Sequence, residues 1–236
     1  MSSGVHLGAL RLRLTIWAEN HKVSNLAEHE YSVVGHSRSK IGMWISFVAG
    51  LVAGGFVVGV GLLLALAEGW GLIDVPEIIF WPLTGAAVFG ALFLLFDRFG
   101  WRWKGVRLIV GIPDISGSWD LEGKSYDQDN EPQWDWAGQI EITQRYERIF
   151  VWLKTAQSQS HSVSAAILPE GRAGFRLIYS YRNQPKPGEA ELQAHIGHCD
   201  LLFAPDLQTA EGSYFNGGGR FTHGTMNLKR RAPDAA

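Results

Sequence analysis

Two long apolar runs constrain this chain more than any other feature. Ile41–Ala67 contains no Asp, Glu, Lys, Arg or His, and Ser46 is its only hydroxyl side chain. Ile78–Phe96 is also free of charge, with Thr84 its only hydroxyl. A helix needs about 20 apolar residues to cross the hydrocarbon core of a bilayer, and each run is of that order. The acidic connection between them, Glu68–Glu77, is too short to be a domain. The pair predicts a transmembrane helical hairpin, and the rest of the chain must be a tail or a head for it.

The flanking charges predict an orientation. Arg38 and Lys40 precede the first run, and Arg98, Arg102, Lys104 and Arg107 follow the second. Glu68, Asp74 and Glu77 lie between the runs, with no Lys or Arg. The positive-inside rule places both termini in the cytoplasm and the connection outside, as in a multi-pass membrane protein. Trp44, Trp70, Trp81, Trp101 and Trp103 fall near the expected interfaces, where indole rings settle. The expected organisation is an N-terminal cytoplasmic segment over 1–40 and a hairpin over 41–97, with helices at 41–67 and 78–96. A basic juxtamembrane linker over 98–112 and a cytoplasmic domain over 113–236 complete it.

Within the first run, Gly50 and Gly54 are four apart, as are Gly55 and Gly59. That spacing lets helix backbones approach closely in lipid, and it makes these four glycines candidates for helix assembly within the hairpin or between copies. Glycine is also common in membrane helices for no such reason. Neither run carries an intramembrane charge, which argues against a proton relay or an ion carrier.

From Pro113 onward the pattern changes to short segments of period two, separated by turn residues. Strands are predicted at Gly117–Tyr126, Trp134–Arg145, Arg148–Thr155, Ser160–Leu168, Arg172–Arg182, Ala190–Cys199, Asp200–Phe203, Thr209–Phe215 and Gly224–Arg230. Short strands at regular spacing suggest a sandwich or barrel. The fold class expected is a membrane protein with an N-terminal two-helix hairpin and a C-terminal all-β antiparallel barrel, an eight-stranded lipocalin-like meander. Gly117-Ser118-Trp119 is similar to the Gly-x-Trp opening of lipocalin-like barrels. Ahead of the first apolar run, His29–Val34 has extended character.

Composition and motifs remove several function classes. A net charge of −2 does not suit a DNA or RNA binder. The single cysteine, Cys199, leaves no disulfide framework and no cysteine-based zinc site. His195 and His198 are three apart, which on a strand sends them to opposite faces, so no shared metal is expected. Ser162 or Ser164 with a histidine is the one hydrolase pairing to weigh, and no catalytic motif supports it. The barrel region does carry chemistry suited to nucleotides. Tyr179, Tyr181, Tyr214, Trp119, Trp134 and Trp136 offer stacking surfaces. Arg220, Arg182 and Arg145 can pair with phosphates. Gln144, Asn183, Asn216 and Thr222 can read base edges.

The order of motifs resembles Cap15, the CD-NTase-associated effector family of bacterial cyclic-oligonucleotide anti-phage (CBASS) signalling. A His29-Glu30-Tyr31-Ser32-Val33 segment precedes a two-helix membrane unit and a small barrel. Within the barrel the likeness runs through Ile115-Ser116-Gly117-Ser118-Trp119, Gly138–Gln144, Tyr179-Ser180-Tyr181-Arg182-Asn183, His195-Ile196-Gly197, Gly212-Ser213-Tyr214-Phe215 and Arg220-Phe221-Thr222-His223-Gly224. It covers about residues 29–231, and residues 1–28 look like an addition to the pattern. The resemblance implies a non-enzymatic effector without a cofactor. Its barrel would bind a cyclic dinucleotide from a partner nucleotidyltransferase, and homo-oligomers would then disrupt the lipid bilayer and kill the infected cell. The residues expected at such a ligand are Tyr181 and Tyr214 for stacking, Arg220 for phosphate, and Gln144, Asn183, His195 and Thr222 for polar contacts. Trp119 is added as a further aromatic. The alternative is a membrane-tethered lipocalin-like barrel that carries a lipid or small molecule without signalling.

Overall fold

The chain folds as two units, an apolar helical unit, His36–Ile112, and a β unit drawn from Met1–Gly35 and Pro113–Ala236. The computed structural model describes residues 28–71, 81–188, 193–218 and 221–232.

The apolar unit is built on α1 (Arg38–Gly69), α2 (Trp81–Arg98) and a short α3 (Lys104–Val110). α1 is 32 residues long, so it extends about 48 Å and exceeds the thickness of a hydrocarbon core. Among the described residues it is the one helix long and apolar enough to cross a membrane, with a mean hydropathy of 2.4. Its one hydroxyl is satisfied internally, because Ser46 Oγ donates to the Gly42 carbonyl at 2.8 Å. Ala49 and Ala53 are its buried residues, one turn apart. Leu51, Phe56, Leu62 and Leu63 face outward. Gly50, Gly54, Gly55 and Gly59 have no atom near the position a Cβ would take. α2 spans 18 residues. α3 ends at Gly111, whose positive φ of 68° forms a left-handed cap with its N–H on the Arg107 carbonyl.

The β unit has nine strands: β1 (His29–Val33), β2 (Gly117–Tyr126), β3 (Pro132–Gln144), β4 (Arg148–Thr155), β5 (Ser158–Pro169), β6 (Phe175–Pro185), β7 (His195–Phe203), β8 (Thr209–Gly217) and β9 (His223–Arg230). Hydrogen bonding closes them into a ring in the order β1-β4-β3-β2-β9-β8-β7-β6-β5. The predicted segments Ala190–Cys199 and Asp200–Phe203 meet in one strand that begins at His195, and residues 190–192 lie outside the described residues. Alternation continues through their junction, with Cys199 inward and Asp200 outward against Arg176. Arg172 and Ala173, predicted as the start of a strand, belong instead to a 3-10 turn over Gly171–Ala173.

The ring closes through a fork. β4 and β5 pair over Trp152–Lys154 and Gln159–His161, then separate. β1 enters the gap, antiparallel to β4 and parallel to β5. Where the strands part, β5 shifts register between Ser162 and Ser164. The Ser162 hydroxyl accepts the Val151 N–H at 3.0 Å and lies 2.7 Å from His29 Nε2. The serine–histidine contact sought in the sequence thus exists with His29 as partner, and it joins three strands at the fork.

One end of the interior is filled. Trp119, Ile140, Ile142, Ile149, Leu177, Leu201 and Phe203 pack there, the Trp119 and Phe203 rings edge to face at 5.0 Å. Residues 113–116 are tied to this end by three side chains. Gln144 Oε1 accepts the Ile115 N–H at 3.0 Å, and its Nε2 donates to the Pro113 carbonyl at 3.0 Å and to the Tyr31 hydroxyl at 3.1 Å. Trp119 Nε1 donates to the Ile115 carbonyl. Arg230, its guanidinium 4.5 Å from the Trp119 ring centre, donates to the Ser116 and Asp114 carbonyls.

Candidate ligand-binding cavity

The other end of the ring is hollow. The cavity is about 320 Å³, within the usual range for small-molecule sites. The ends of β2, β6 and β8, the starts of β3, β7 and β9, and the β4–β5 turn supply its walls.

It exists because glycines face inward where aromatic rings need room. Trp136 is the cross-strand partner of Gly123, Tyr181 of Gly197, and Tyr214 of Gly224. A Cβ on Gly123 would come within 2.3 Å of the Trp136 indole; on Gly197, within 2.4 Å of the Tyr181 ring; on Gly224, within 2.6 Å of the Tyr214 ring. Each ring therefore covers a bare backbone on the neighbouring strand, the arrangement known as aromatic rescue of glycine. Folded onto the wall, the rings leave the middle open. Trp136 and Tyr214 meet edge to face at 5.7 Å.

Hydrogen bonds fix the hydroxyls. The Tyr181 hydroxyl donates to Asn216 Oδ1 at 2.8 Å, and Asn216 Nδ2 donates to Thr222 Oγ1 at 2.7 Å. Ser125 and Tyr214 share a hydrogen bond between hydroxyls. Lys186 extends its ammonium to the Thr155 and Ala156 carbonyls at 3.0 and 2.6 Å, tying the β4–β5 turn to the end of β6. Burial pushes the Cys199 thiol up to about 12, only partly offset by its hydrogen bond with Tyr179. Burial, reinforced by Cys199, also raises the Tyr179 hydroxyl well above the ordinary tyrosine range. Both groups are therefore neutral lining rather than nucleophiles. The described lining residues include the Asp135 carboxylate and no Lys or Arg.

The structure brings together four of the eight residues expected at a ligand: Tyr181, Tyr214, Asn183 and His195 line the cavity. Thr222 stands behind it, bonded to the lining residue Asn216. Gln144 and Trp119 are elsewhere, fully buried at the filled end and occupied with the 113–116 segment. Arg220 lies outside the described residues. Of the other two arginines weighed, Arg145 is paired with Glu28 at 3.2 Å, and Arg182 is exposed on the outer face of β6. Sequence reading passed over Ser125, Ser160, Lys186 and the three glycines. The glycines had a visible signal: each occupies an inward position in a period-two strand, as Gly123 does between Leu121 and Ser125.

Comparison with known proteins agrees with this division of the chain. Residues 39–102 match the family model described as Cap15, TM helices, and residues 110–230 match Cap15, cyclic dinucleotide receptor domain. CD-NTase-associated protein 15 of Yersinia aleksiciae is 34% identical over 212 residues, which cover 87% of this chain and 98% of that protein. The chain, with its apolar helical unit and its hollow ring of strands, belongs to the Cap15 family.

Proposed function

We propose that this chain is a membrane effector of anti-phage signalling. Its nine-stranded barrel takes up a cyclic dinucleotide made by a partner nucleotidyltransferase, copies then assemble, and the membrane unit breaches the inner membrane. The observation that carries this reading is the cavity itself. Three aromatic rings cover glycines around a polar interior whose described lining has no Lys or Arg, within the segment that matches the receptor domain. Flat rings suit planar bases, which stack at about 1–3 kcal/mol each. The buried polar residues Ser125, Ser160 and Asn183, with the half-buried Asn216, line the cavity and suit a nucleotide better than an acyl chain.

The apolar unit supports the rest. In this reading α2 is the second membrane crossing, and both termini are cytoplasmic, where the messenger is made. The absence of charge from both apolar runs fits an element that acts on the bilayer rather than one that transports. Ala49 and Ala53 are the buried residues of α1, and the space beside Gly50, Gly54, Gly55 and Gly59 is open for contacts between copies.

Two measurements test the proposal. Titrating the full chain in lipid nanodiscs with cyclic dinucleotides is expected to show saturable binding, and Arg220→Ala to weaken it by about 1–3 kcal/mol through loss of a charged hydrogen bond. Unchanged affinity in that variant rejects the phosphate role. Gly54→Leu and Gly55→Leu are expected to abolish toxicity in cells exposed to the ligand while leaving its affinity intact. Full toxicity in both variants removes the glycines from assembly.

A further inference from the structure

Polar side chains that line the cavity fall into two groups. Ser125, Tyr214, Tyr181 and Asn216 are held by the hydrogen bonds described above. Ser160 and Asn183 are not. They are 4% and 8% exposed, both line the cavity, and neither side chain has a hydrogen bond with the described residues. The two are direct partners across β5 and β6. Both residues line the open cavity, so their polar groups are available to something that enters.

Their chemistry says what enters. An amide offers a donor beside an acceptor, and the hydroxyl next to it can serve as either. No cation among the described lining residues assists them: Asp135 is the charged residue there, and the Lys186 ammonium is engaged with two carbonyls. That setting suits a neutral edge with adjacent donor and acceptor, not a phosphate. Tyr181 lies two residues before Asn183 on the same inward face of β6. A base resting on the Tyr181 ring brings its edge toward the amide, one strand repeat away.

We propose that Asn183, with Ser160 beside it, reads the hydrogen-bonding edge of one nucleobase and sets which cyclic dinucleotide this protein accepts. The inference rests on the receptor reading of the cavity, and the experiment separates the two. The full chain in nanodiscs is titrated calorimetrically with cyclic di-AMP, di-GMP, GMP–AMP and di-UMP. The wild type is expected to rank them across at least about tenfold, because one good bidentate amide–base pair discriminates at that level. Asn183→Ala is expected to weaken the tightest ligand roughly ten- to hundredfold and to flatten the ranking. Asn183→Asp, which keeps the size and the acceptor but removes the donors, is expected to reorder the ranking, and it carries the test should the alanine variant fail to melt cooperatively. Ser160→Ala is expected to show a smaller loss in the same direction. Retention of both affinity and ranking by the Asn183 variants overturns the edge-reading role and leaves the receptor intact. Failure of the wild type to bind any of the four overturns the receptor reading itself.

Discussion

Replacing Gln144 with leucine is expected to cost about 2–4 kcal/mol of stability, the sum of two stranded backbone groups. Gln144 is fully buried and serves three partners: the Ile115 N–H, the Pro113 carbonyl and the Tyr31 hydroxyl. Leucine fills similar space but bonds to none of them. Tyr31 keeps its bond to the Arg145 carbonyl at 3.1 Å, so its hydroxyl is not orphaned. The Ile115 amide and the Pro113 carbonyl lose this partner. The consequence extends beyond one residue, because Gln144 joins β3, the entry segment at 113–115 and β1. β1 is short and reaches the ring from far away in sequence, so it is the strand most dependent on such a tie. Thermal melts of the full chain in detergent are expected to fall by roughly 10 °C, given a few degrees per kcal/mol for a domain of this size. Ligand affinity of the folded protein is expected to stay within about twofold, because Gln144 lies at the filled end and affinity tracks local contacts. A variant with an unchanged melt but weakened binding would return Gln144 to the ligand site.

Most of the strands could be read from the chain because their signal is local. β2 and β4 have the predicted bounds, since period two and the turn residues at both ends agree. The face of β6 that carries Leu177, Tyr179 and Tyr181 was readable for the same reason. The long α1 followed from an uncharged run. What local pattern could not show was partnership. His29–Val33 reads as extended, but its place between β4 and β5 depends on a register shift at Ser162 and Ser164 far along the chain. The site divided along the same line. Tyr181 and Tyr214 were singled out by chemical type, and type is visible in sequence. Gln144 and Trp119 have the same types and point to opposite duties, because residue type does not say which end of a ring is filled. Gly123, Gly197 and Gly224 had the right position but no chemistry of their own, and their role appears only once the ring lying over each of them is seen.

That role leads to the sharpest expectation. Gly123→Ala is expected to leave the ring of strands folded and to weaken ligand binding by about ten- to hundredfold, the 1–3 kcal/mol typical of an overpacked site. The three glycines are not equivalent under substitution. A Cβ at Gly224 would stand 2.1 Å from the Lys124 carbonyl, and one at Gly197 would stand 2.7 Å from the Phe215 carbonyl, so both clash with backbone and force strands apart. At Gly123 the nearest atoms, at 2.3, 2.6 and 2.7 Å, all belong to the Trp136 indole. A side chain can swing where a backbone cannot. Gly123 is held in the sheet between β3 and β9, so the displaced indole swings into the cavity that Trp136 lines. Its contact with Tyr214 is broken by the same movement. Circular dichroism and the melting transition of the ligand-free variant report whether the strands persist, and titration with the tightest cyclic dinucleotide reports the cavity. A double variant, Gly123→Ala with Trp136→Leu, removes the displaced ring and is expected to recover part of the lost affinity. Wild-type affinity in the single variant, with the strands intact, would show that the space over Gly123 is not part of the binding site.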